Sequence, residues 1–161
     1  MHFYYVRASA HGGLSPVHLP RQSKSIFSGE EGAMTHEKRR GIIVVEDEPI
    51  VLNMVQEILE EQGYEVIGAA TPSELDHLMG DIDPQLVLVD MMLPEESGMQ
   101  LAQRLRESYF PHTAMVAMSA DRLTLLFASR SGLFQGTVAK PFEISTLLEV
   151  TAKNVGTYVT A

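Results

Sequence analysis

From Gly41 onward the chain repeats one pattern five times: a short apolar run, then a segment whose apolar residues fall at helical spacing. The runs are IIVV (42–45), EVIGAA (65–70), LVLV (86–89), AMVAM (114–118) and GTVA (136–139). Runs this short and this rich in β-branched residues suit strands buried on both faces. In residues 49–62, Ile50, Val51, Met54, Val55, Ile58 and Leu59 line up at helical spacing, and Gly63 follows as a stop. Thr71 is a natural N-cap with Pro72 at the first helical position. Residues 98–107 place Met99, Leu101, Ala102 and Leu105 on one side, and helices over 121–131 and 142–154 complete the set. Strands that alternate with helices imply a parallel sheet covered on both faces. Right-handed crossovers then give a doubly wound α/β (βα)5 sandwich of three layers, with five parallel strands. In such sheets the working site lies at the carboxyl ends of the strands.

Residues 1–40 read differently. They are rich in Gly, Pro, Ser and charge and show no sustained periodicity. The expectation is a disordered or weakly docked extension, followed by one domain over 41–161. Charge divides at the same place, with six Lys/Arg against three Glu in 1–40 and six against eighteen acidic residues in 41–161. A domain that acidic is a poor nucleic-acid binder and a natural partner for a cation or a basic surface. There is no cysteine, so disulfides, thiolate metal sites and a thiol nucleophile are excluded. That composition fits the cytoplasm. No secretory leader pattern is visible, and no apolar run approaches the roughly 20 residues of a membrane span.

The strand ends carry the chemistry. The first apolar run leads into Glu46 and Asp47, the third into Asp90, the fourth into Ser119 and the fifth into Lys140 followed by Pro141. Three carboxylates, a hydroxyl and an amine therefore meet at one edge. Three like charges at close range raise one another's pKa and call for a cation. Mg2+ suits them, because it takes oxygen ligands and uses one or two carboxylates together with phosphate oxygens. An aspartate can also attack phosphorus to give an acyl phosphate. Glu48, the next acidic residue, is read as a solvated helix-start charge. The histidines show no metal spacing, and His77 and His112 are read as surface residues. The methionines are read as core and loop packing, with Met91 and Met92 shaping access to Asp90.

In order and spacing, VVEDEP, LVLVDMMLPEESG, MSA and KPF resemble the response-regulator receiver domain of two-component signalling, a flavodoxin-like fold typified by the chemotaxis regulator. The resemblance covers residues 41 to about 155. It implies that Asp90 is the phosphoacceptor and that Glu46 and Asp47 hold Mg2+ with it. The backbone carbonyl of Met92 completes the protein ligands. It further implies that Ser119 contacts the phosphoryl group and carries the switch, that Lys140 pairs with that group, and that Lys140–Pro141 is cis. Three positions depart from the family pattern. Thr137 stands where an aromatic residue usually swings during switching, leaving a smaller movement or another residue such as Phe134 to do that work. Glu46 stands where aspartate is commoner. Met92 and Asp121 occupy positions that tune loss of the phosphoryl group, and the direction of their effect stays open.

The implied input is a histidine kinase or a histidine phosphotransfer protein. The output is an unidentified downstream protein, reached through the fourth-helix and fifth-strand surface. Nucleic acid and membrane are not expected as direct partners, and a homodimer stays open. No effector segment follows residue 161, so output runs by protein contact unless an effector was separated from this sequence. Leu123, Leu125, Leu126 and Phe127 make the fourth helix apolar on more than one side, either as a buried helix or as a docking face. Two rival functions remain: a receiver-like interaction module that ignores phosphate, and a Mg2+-dependent phosphohydrolase. Met92 disfavours the second, since those enzymes place a second aspartate there.

Overall fold

The computed structural model describes residues 39–157 and residue 159. The expected N-terminal extension falls on residues that lie outside this range, apart from Arg39 and Arg40. Five strands are present among the described residues: β1 (Arg39–Val45), β2 (Val66–Ala69), β3 (Ile82–Asp90), β4 (Met115–Ser119) and β5 (Gly136–Ala139). They pair in parallel in the order β2-β1-β3-β4-β5. The connecting helices are α1 (Pro49–Glu61), α2 (Pro72–Leu78), α3 (Gly98–Ser108), α4 (Arg122–Arg130) and α5 (Ile144–Asn154). This is the doubly wound sandwich that the alternation predicts, with the switch in strand order between β1 and β3.

Side chains alternate across the sheet with period two and so feed two cores. Ile42, Val44, Leu86, Leu88, Val116, Met118 and Val138 pack with Val55 and Leu59 of α1 and Leu147 of α5. Ile43, Val45, Val87, Val89, Met115 and Ala117 pack on the other face with Leu75 of α2, Leu101, Ala102 and Leu105 of α3, and Leu125 and Ala128 of α4. Asp90 continues the row of Leu86 and Leu88. Ser119 continues the row of Met115 and Ala117, on the side of α4.

Local sequence explains the element ends. Thr71 caps α2, its hydroxyl accepting from Glu74 N at 3.0 Å. Ser97 and Gln100 form a reciprocal capping box on α3. Gly63 ends α1 with φ +87°, a conformation that favours glycine. The strand over 82–90 starts earlier than the LVLV run, since Ile82 to Pro84 pair with Arg39 to Gly41 of β1. Pro84 is tolerated there because the ladder to β4 begins only at Val87, and because the β1–β3 register shifts just after it.

The fourth helix resolves its two readings in favour of an exposed face. Leu125 and Ala128 are buried, but Leu123 and Phe127 are 64% and 67% exposed and Leu126 is also open to solvent. Met92 and Met54 are likewise exposed, so the methionines are not uniformly core, while His77 and His112 lie at the surface. No helix among the described residues is long and apolar enough to cross a membrane.

Candidate functional site

Backbone hydrogen bonds persist one step beyond the strand ends and fix the site residues. Glu46 N donates to Ala69 O at 3.1 Å, Met91 N to Met118 O at 2.9 Å, and Lys140 N to Ser119 O at 2.8 Å. The sheet therefore delivers Glu46, Asp90, Ser119 and Lys140 to one edge as a rigid set. The Lys140–Pro141 bond is cis.

Glu46 and Ser119 have no solvent exposure and Asp90 is 3% exposed, while Asp47 opens to solvent. Ligand oxygens of Glu46, Asp47 and Asp90 all lie within 4.8 Å of one another. Lys140 Nζ reaches into this cluster, 2.6 Å from Glu46 Oε2 and 3.1 Å from Asp90 Oδ2. The Asp90 contact is a hydrogen bond. The Glu46 contact is an ion pair without hydrogen-bond geometry, which leaves Oε2 as a buried oxygen with no hydrogen-bond partner. The other oxygens are held by the backbone: Glu48 N donates to Glu46 Oε1 at 3.2 Å, and Met92 N donates to Asp90 Oδ1 at 3.1 Å.

These surroundings shift protonation. Burial pushes the Glu46 carboxyl up to about 7; the Lys140 contact pulls it back and the Asp90 charge adds to the rise. Burial works against the Lys140 ammonium, yet contacts with Glu46 and Asp90 outweigh it and hold its pKa above the usual lysine value. The residues fit a hard divalent cation on structural grounds. The donor set is all oxygen, a buried carboxylate oxygen lacks a hydrogen bond, and a positive charge already sits against it.

The remaining predicted positions fall at the end of β4, around the ends of α4, on β5 and at the start of α1. Thr137 is half-buried on β5, on the opposite face from Val138 and beside Ala117 of β4. Phe134 is already buried in the core against α4, leaving it little room to swing inward. Ser119 Oγ accepts from Asp121 N at 3.1 Å. Asp121 caps α4: its carboxylate accepts from Leu123 N, Thr124 N and the Thr124 hydroxyl. Those bonds, the Thr124 hydroxyl first among them, hold its carboxyl below the usual range. Glu48 occupies the N-cap position of α1 without a side-chain cap bond.

Sequence reasoning missed the support of the β3–α3 loop. Glu95 accepts from Ser73 N and Oγ, and Arg104 bridges Glu96 and Asp76. The only sequence signal was charge of both signs around a short loop. Gly98 is the first residue of α3, where an added Cβ would lie 2.7 Å from Met91 Cα and closer still to the Asp90 carbonyl oxygen. The glycine lets α3 approach the strand that carries Asp90.

A doubly wound sheet with buried carboxylates and a lysine at its carboxyl edge defines a class of phosphoryl-handling α/β proteins. Within that class the chain belongs to the response regulator receiver domain family, whose model matches residues 42–152. It is thus a receiver domain of two-component response regulators. It is 32% identical over 114 residues to the TorCAD operon transcriptional regulatory protein TorR of Escherichia coli, covering 71% of this chain and 49% of TorR. The chain therefore spans about half the length of that relative. Among solved structures it resembles a CheY-like receiver domain protein from Methanospirillum hungatei, with a TM-score of 0.63 and 27% identity, over 73% of this chain and 93% of the other. The response regulator TrrA of Thermotoga maritima, in complex with Mg2+ and BeF, gives the same TM-score and identity, over 73% and 99%.

Proposed function

We propose that Asp90 is the phosphoacceptor, and that Glu46, Asp47, Asp90 and the Met92 carbonyl hold Mg2+ beside it. The observation that carries this reading is the single ammonium of Lys140 set between two buried carboxylates, with one Glu46 oxygen left without a hydrogen bond. In the transfer, a carboxylate oxygen of Asp90 attacks the donor phosphorus. The bond from phosphorus to its leaving group breaks, the leaving group keeps the electron pair, and an acyl phosphate remains on Asp90. A bound Mg2+ would neutralise charge on the phosphoryl oxygens. Lys140, now paired with Asp90 Oδ2, moves its ammonium to a phosphoryl oxygen. The physiological donor is a phosphohistidine on a kinase or phosphotransfer protein, the input that the family uses.

Switching follows from Ser119. Its hydroxyl turns toward the phosphoryl group and withdraws from Asp121 N, the residue that caps α4. The α4 surface, with Leu123 and Phe127 exposed, shifts between two pre-existing arrangements. Thr137 offers no large side chain to follow the movement, so the change is confined to the β4–α4 corner. Met92 and Asp121 tune dephosphorylation, Asp121 indirectly, because its carboxylate is engaged at the helix end. Downstream output is by protein contact at this surface. TorR is by name a transcriptional regulator, and an effector of that kind would bind DNA through a separate part, not through this acidic domain.

Amide NMR with Mg2+ and beryllofluoride tests this reading. Wild type should show shifts at Asp90, Met92, Ser119 and the start of α4, and Asp90→Asn should lose them. Shifts that persist in Asp90→Asn, or their absence in wild type, would sink the phosphoacceptor assignment and favour a phosphate-independent interaction module.

A further inference from the structure

The loop between β3 and α3 is fastened at both ends and along its length. At its start, Met92 N donates to Asp90 Oδ1. At its end, Ser97 and Gln100 form the capping box of α3. Between them are two straps to α2. In the first, Glu95 Oε2 accepts from Ser73 Oγ at 2.6 Å and from Ser73 N at 3.1 Å. In the second, Arg104 of α3 reaches Glu96 at 2.5 Å and Asp76 at 2.7 Å, with its side chain about one-third exposed. An arginine fork that joins two carboxylates fixes geometry as well as charge. This same loop walls an open cleft of about 400 Å³ whose other side is Asp47.

We propose that Arg104 is a positioning residue for the divalent-cation site, acting through Glu96 to hold the β3–α3 loop, with the Ser73–Glu95 strap as its second fastening. The proposal rests on the cation reading of Glu46, Asp47 and Asp90 given above. Two effects of removing Arg104 oppose each other in sign, and this makes the idea decidable. Loss of a positive charge near an acidic cluster strengthens cation binding by simple electrostatics. Loss of the loop's support weakens it, by less than the roughly tenfold or more carried by partners bonded directly to a metal ligand, because Arg104 acts through Glu96 and touches no ligand itself. Arg104 is screened by solvent, so its direct Coulomb effect is small and the positioning effect prevails.

The test is a Mg2+ titration of the full chain followed by amide NMR at Met92 and Asp47, with thermal unfolding of each variant measured alongside. Arg104→Met should weaken Mg2+ binding by a few-fold, in keeping with the modest worth of partly exposed ion pairs, and Arg104→Lys should recover part of the loss. Ser73→Ala removes the other strap's hydroxyl without changing any charge, and should weaken binding by a few-fold. If Arg104→Met folds and binds Mg2+ as tightly as wild type or more tightly, the proposal is wrong. If Arg104→Met does not fold, Ser73→Ala decides: unchanged affinity there overturns the proposal. Wild type that shows no Mg2+-dependent shifts would instead overturn the cation reading itself, so the two failures are distinct.

Discussion

Glu46 shows how much of this protein's behaviour is set by single side chains. It stands with no solvent exposure beside Lys140, and its carboxyl is pushed up to about 7 from an ordinary 4.5. A carboxylate raised on folding binds its proton more tightly in the native state than in the unfolded one. Between about pH 4.5 and 7 Glu46 then holds more proton in the folded state, so its contribution to stability is largest at the acid end and falls as pH rises through that window. Urea unfolding of the metal-free chain should show this slope, and Glu46→Gln should flatten it. Lys140→Met removes the one ammonium shared by Glu46 and Asp90. It should cost about 3 kcal/mol at pH 8, the low end for breaking a buried pair, and less at pH 5, where Glu46 takes up a proton. Equal losses at both pH values would contradict the assigned ion pair. The identity of both residues was legible in sequence, because each ends an apolar run. Their ion pair was not, because a sequence shows which side chains reach an edge but not which of them touch before a cation arrives.

At the scale of elements, strand ends and helix starts do the positioning. The five apolar runs gave each strand within a few residues, and Thr71, Pro72 and Gly63 marked helix limits through backbone chemistry that a sequence displays directly. The extension of β3 back to Ile82 was hidden by Pro84, which argues against a strand until the late start of β4 is known. Asp121 was equally opaque. Two residues after Ser119 it invites a role at the phosphoryl group, yet its carboxylate closes the first turn of α4. Gly98 makes a prediction of sign. Helix propensity favours Ala over Gly by up to about 1 kcal/mol, but a Cβ here would press on Met91 and the Asp90 carbonyl. Gly98→Ala should therefore destabilise the chain by about 2 kcal/mol, as overpacking does, in chemical denaturation. A stabilised variant would show that α3 can retreat freely from β3.

Across the whole molecule, the sheet separates a rigid acidic edge from a surface that can respond. The two cores bury residues 42–45 of β1, 86–90 of β3 and 115–119 of β4, and the carboxyl ends of these strands carry Glu46, Asp90 and Ser119. Beside them α4 buries only Leu125 and Ala128 and leaves Leu123 and Phe127 in water. In the proposed switch, a charge change at Asp90 reaches α4 through Ser119 and Asp121, which are joined by the Asp121 N to Ser119 Oγ hydrogen bond. The parallel architecture followed from the alternation of strand and helix, whereas the exposed face of α4 did not, because its apolar residues fit a buried helix as well. Wild type incubated with Mg2+ and acetyl phosphate should gain a single hydroxylamine-labile phosphoryl group, mapped by mass spectrometry to the peptide holding Asp90, and Asp90→Asn should gain none. An unmodified wild type at saturating donor, or a phosphoryl group mapped to another residue, would contradict it.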